Sequence, residues 1–74
     1  MTDLSEYTLS QRKEAINQVI TSKRDRKILQ MRYLDGDSYQ EIADVVHLSV
    51  KRVGTILRVG SQKMGAYLTK CDLK

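Results

Sequence analysis

Between Ser38 and Leu57 the chain lays out two short helices joined by a tight turn at His47 and Leu48, with the small residue Ala43 where one helix must cross the other. Ile42 and Val46 fall at i and i+4 on the first helix and so share a stripe. Val53, followed by Ile56 or Leu57, repeats at i+3 and i+4 on the second. Leu48 plugs the turn. Ser38 with Glu41 three residues on is a capping box, Ser49 is an N-cap residue for the second helix, and Asp35, Gly36 and Asp37 form a turn cluster that closes whatever precedes them. A small crossing residue, two caps and a hydrophobic ladder in one register describe a helix-turn-helix, the spacing of a groove-reading DNA binder. The plainer alternative is a helical hairpin inside a small bundle.

Seventy-four residues make one domain, 1–74, and a chain this short buries only about 60% of its unfolded surface, so its stability is modest. It has no Pro, Phe or Trp, and 41% of its residues are hydrophobic, which favours a compact all-α fold. Thirteen Lys and Arg against nine Asp and Glu leave a net charge of +4, suited to a polyanionic partner, although ribosomal and ordinary soluble domains share it. Cys71 is the only cysteine, so no internal disulfide forms and a reducing cytoplasm is the natural compartment. No apolar run reaches membrane-spanning length, no membrane association is expected, and the first residues lack the order of a signal peptide.

Two further helices precede the pair. Leu9, Ile16, Val19 and Ile20 fit one face of a helix over about 9–21, with residues 1–7 polar and frayed. Ser22 with Asp25 opens a second helix that runs to Leu34, with Ile28, Leu29, Met31 and Leu34 on its apolar side. The last helix continues past the turn through Gly60, Met64, Tyr67 and Leu68 to a frayed end at 70–74. Lys23, Arg24, Arg26 and Lys27 crowd the start of the second helix, where cations oppose the helix dipole and repel one another. Local stability does not account for them; contact with phosphate would, and a solvated charged face is the competing explanation.

From Arg24, Asp25 and Arg26, through Leu29, Met31, Arg32, Tyr33 and Gly36, to the run Ser38, Tyr39, Gln40, Glu41, Ile42 and Ala43, the chain closely resembles the start of region four of bacterial sigma factors. Leu48, Ser49, Leu57, Arg58, Gly60, Lys63 and Met64 continue the pattern, so the likeness spans roughly residues 15–68. It is less closely similar to the DNA-binding domains of LuxR-type response regulators. The resemblance implies a four-helix domain without winged elements. It also implies a recognition helix docked in the major groove of a promoter element and a second surface offered to the flap of the RNA polymerase beta subunit. Carried over by position, Lys51, Arg52 and Thr55 meet base edges, where Arg and Lys donate to guanine and Thr bonds a base or touches a thymine methyl. Ser38, Tyr39, Ser49 and Arg58, with Lys23, Arg24, Arg26 and Lys27, meet phosphates. Ser38 is equally readable as a cap alone, and Lys51 or Arg52 as surface charge.

Three departures stand out. His47 stands at the turn position where a glycine is usual; if that residue takes a positive φ, His is tolerated there at a cost of about 1 kcal/mol. Gly54 and Gly60 each cost about 1 kcal/mol inside a helix; close packing accounts for Gly60, and Gly54 sits on the exposed side. Ile56 and Val59 put apolar groups on the outer flank. Taken as a complete chain, 74 residues leave no room for the second domain of an ordinary sigma factor, which points to a free-standing regulator of the kind found in phages or mobile elements.

Two or three base contacts supply about 3 to 8 kcal/mol of discrimination, while competing with a million sites takes about 8. A monomer is therefore marginal. The missing specificity must come from RNA polymerase or from a homodimer formed through Ile56, Val59, Met64, Tyr67 and Leu68. Two alternatives are a sigma-mimicking module that binds the polymerase flap without reading sequence and an architectural or recombination-directing DNA binder. No carboxylate pair, nucleophile arrangement or metal-ligand cluster supports an enzyme, and no cofactor or metal is expected.

Overall fold

The structure is a computed structural model and describes residues 4–72, Ser5 and the last two of them by their backbone alone. After a 3-10 turn at Leu4–Glu6 come α1 (Leu9–Val19), α2 (Lys23–Tyr33), α3 (Tyr39–Val46) and α4 (Val50–Asp72). The described residues include no strand. At 23 residues α4 is about 34 Å long, most of the molecule's 40 Å long axis, and it packs against all three other helices.

Each helix starts where a side chain takes up an orphan backbone N–H. The Thr8 hydroxyl accepts from the Gln11 N–H at 3.1 Å while the Thr8 N–H donates to Gln11 Oε1 at 2.8 Å, a complete capping box for α1. Ser22 accepts from the Asp25 N–H without a reciprocal bond. Ser38 and Glu41 form the full box expected for α3, at 3.2 and 3.0 Å, and Ser49 accepts from the Arg52 N–H at 3.1 Å to open α4. Between α2 and α3 the Asp37 N–H reaches back to the Met31 carbonyl, and Gly36 takes φ +77°. His47 does adopt the left-handed conformation, φ 60° and ψ 41°, and lets the Leu48 N–H return to the Ala43 carbonyl.

The core is aliphatic. Ala15, Ile16, Ile28, Leu29, Ile42, Val53, Leu57 and Met64 are wholly buried, and Leu4, Ile20, Ala43, Ile56 and Leu68 nearly so. Gly60 lies against Leu29 so closely that a Cβ would fall 2.5 Å from Leu29 Cδ1, confirming the close-packing role.

Several expectations are corrected. A 3-10 turn, Leu4–Glu6, lies within the stretch expected to fray, and Leu4 belongs to the core; residues 1–3 lie outside the described ones. At the other end α4 continues to Asp72, past the boundary at residue 70, with 73–74 again outside. Leu9 is 55% exposed, because α1's first turn runs beyond what the rest of the molecule covers. The helix ends at Val19, where Ile20 turns extended ahead of the Ser22 cap. Most consequentially, Ile56, Met64 and Leu68 face inward, so the apolar stripe proposed for a second copy is largely consumed by the intramolecular core. Val59 remains 42% exposed, and the half-buried Tyr67 donates to Glu14 Oε1 of α1 at 3.4 Å.

Candidate nucleic-acid interface

Successive residues on a helix point about 100° apart, so the first turns of α4 sort themselves into faces. Val53, Ile56, Leu57 and Gly60 point to the core. Lys51, Thr55, Arg58 and Gln62, at i+4, i+3 and i+4 steps, lie together on the opposite, open side. Thr55 is only partly exposed, and its hydroxyl donates to the Lys51 carbonyl at 3.2 Å. Arg52, read from sequence beside Lys51 at the base edges, sits on a separate flank. Together with Thr55 it lines a groove of about 210 Å³ between the start of α2 and the middle of α4, whose floor is Leu29, Ile56 and Gly60 and whose rim includes Lys63, Ser22 and Asp25.

The other flank carries Tyr39. Its ring lies beside Gly54, where an added Cβ would be 3.7 Å from Tyr39 Cε2, and the Arg32 guanidinium stacks 5.0 Å from the ring centroid. Arg32 also donates to the Asp37 carbonyl at 3.1 Å. A guanidinium, an aromatic ring and a bare helix backbone are thus layered, which ties the α2–α3 turn to the first turns of α4. Sequence patterns missed this stack. Its traces are Gly54, a helix-interior glycine on the exposed side, and Arg32, which in the resembled family helps organise the fold or faces DNA.

The proposed phosphate contacts divide into spoken-for and open groups. Arg26 is part-buried and donates through Nε to the Ile20 carbonyl and through Nη2 to the Asn17 carbonyl at 3.4 Å. It therefore closes the C-terminus of α1, where a cation is favoured, and local stability accounts for it after all. Arg24 makes an exposed pair with Asp25 at 3.4 Å. Lys23, Lys27 and Arg58 are exposed. Ser38 is a cap: its N–H donates to Glu41 Oε1 and its hydroxyl accepts from the Glu41 N–H, leaving the 40%-exposed Tyr39 as the outward group at the start of α3. The hydrogen bonds from the Ser38 backbone and side chain hold the Glu41 carboxyl below the ordinary glutamate range.

A family model described as sigma-70, region 4 matches residues 22–64, from the cap of α2 to the middle of α4. The chain belongs to this family. No curated protein and no solved structure matches it. As a region 4 domain it is a helix-turn-helix of the transcription machinery, from a family that binds DNA and RNA polymerase rather than catalysing a reaction. The matched span is narrower than the resemblance read from sequence: α1 and the last turns of α4 fall outside it. No helix among the described residues is long and apolar enough to cross a membrane.

Proposed function

We propose that this region 4 domain is a sequence-specific binder of double-stranded DNA that regulates transcription together with RNA polymerase, in the cytoplasm of a bacterium or a phage-infected host. The observation that carries the proposal is the open face of α4. Lys51 stands exposed on its first turn with the partly exposed Thr55 one turn on, and Arg58 continues the same line toward a strand backbone. In this arrangement Lys51 and Thr55 meet base edges in the major groove. Arg52, on its flank, and Lys23, Arg24 and Lys27, at the start of α2, meet phosphates, as do Arg58 and the hydroxyls of Ser38, Tyr39 and Ser49. With most of the dimer stripe buried, the extra specificity comes from tethering to polymerase rather than from a second copy.

One feature favours a second reading, a polymerase-binding module that does not read sequence. The groove beside Arg52 has an apolar floor and a charged rim, the anatomy of a protein contact. Selection of sites from random duplexes, followed by a salt titration of the winner and a polymerase pull-down, separates the two. A preferred sequence whose affinity falls steeply with salt supports the DNA reader. Polymerase capture with no affinity for any duplex at low salt supports the module and refutes the DNA reader.

A further inference from the structure

Three side-chain facts at the start of α4 bear on which bases this domain prefers. Val50 is the first residue of the helix and is 40% exposed, an apolar group left out of the core beside the exposed cations Lys51 and Arg52. Gly54 follows at i+4 without a side chain, its place on that flank taken by the ring of Tyr39. Thr55 has already committed its only hydroxyl proton to the Lys51 carbonyl.

The last point limits what Thr55 can recognise. With its proton engaged, the hydroxyl cannot donate to the acceptors of guanine or to thymine O4. What remains are lone pairs, held back against the helix, and a γ-methyl fixed in one rotamer by that same bond. Val50 has methyls and nothing else. Among base edges in the major groove the only apolar group is the C5-methyl of thymine. Two methyl-bearing side chains therefore stand on the first two turns of α4 to either side of Lys51, and the one base feature complementary to them is a methyl group.

We propose that Val50 and Thr55 read thymine through its C5-methyl, making them specificity-determining residues alongside the donor Lys51. The inference rests on the DNA-binding function proposed above and adds to it the chemical class of the base. The preferred site then carries thymines at one or two positions under the first two turns of α4, next to an acceptor-bearing edge for Lys51.

The test alters the DNA before it alters the protein. In a duplex selected by the wild-type chain, each thymidine is replaced singly by deoxyuridine, which removes the methyl and keeps every hydrogen-bonding group; affinity is read by fluorescence anisotropy at fixed salt. At one or two positions affinity should fall about four-fold, the worth of one buried methyl, with the rest unchanged. Val50→Ala should abolish the uracil effect at one such position. Thr55→Val, which keeps the methyl and discards the hydroxyl, should preserve the effect at the other, whereas Thr55→Ser should abolish it. A selected, salt-sensitive duplex indifferent to uracil everywhere overturns this inference and leaves DNA binding standing, as does a uracil effect kept by Thr55→Ser and lost in Thr55→Val. Absence of duplex binding overturns both.

Discussion

Gly54 and Gly60 carry the same residue type at the same nominal helical cost, and the structure assigns them opposite consequences. A methyl at Gly60 would sit 2.5 to 2.8 Å from the wholly buried Leu29, so overpacking of about 1 to 3 kcal/mol outweighs the helix-propensity gain of about 1. A methyl at Gly54 would meet only the Tyr39 ring, at an ordinary 3.7 Å. Urea denaturation should accordingly show Gly60→Ala destabilised and Gly54→Ala stabilised by up to about 1 kcal/mol. The sequence carried the first reason, since small residues recur where helices cross. It did not carry the second, because Tyr39 and Arg32 come to Gly54 only through the turn between α2 and α3. The structural role of Arg26 is hidden from sequence for a related reason: its partners are backbone carbonyls of α1, which no side-chain pattern displays. Arg26→Ala should therefore lower thermal stability, whereas Lys23→Ala should leave melting unchanged, weaken all duplexes alike and reduce the salt slope by about one.

Helices here begin at boxes that spacing alone revealed. Ser22, Ser38 and Ser49 were all legible, because a cap is a local contract between a hydroxyl and a backbone N–H three residues on. The Thr8 and Gln11 pair obeys the same spacing and went unread, while Leu9 was assigned inward because periodicity names a face without saying whether another element reaches it. The box at α3 has a pH signature. Glu41 titrates below its unfolded value, so its contribution is present above the ordinary glutamate range and is lost as pH falls through the lowered value. Stability measured from pH 7 downward should lose this component on acidification. Glu41→Gln, which keeps an acceptor and carries no charge, should remove that part of the pH dependence. Ser38→Ala should cost about 1 kcal/mol at neutral pH.

At the scale of the molecule, the sequence supplied the number and order of helices but not their docking. Ile56, Met64 and Leu68 looked like surplus apolar surface because nothing in their spacing tells which helix covers them; Ile16 and Ala15 of α1 join the same core cluster. Sedimentation at micromolar concentration should consequently give a monomer, and a dimer there would mean that Val59 and its surroundings suffice for association. One unbroken helix does two jobs. Its far end is clasped by α1, with Tyr67 hydrogen-bonded to Glu14, and its near end carries Lys51 about 24 Å away. An oar held at the rowlock is steered from the handle: the seat of α1 sets the tilt at which the blade meets a duplex. Repacking that distant joint is thus a way to retune which bases lie under Lys51 without touching any group that faces them.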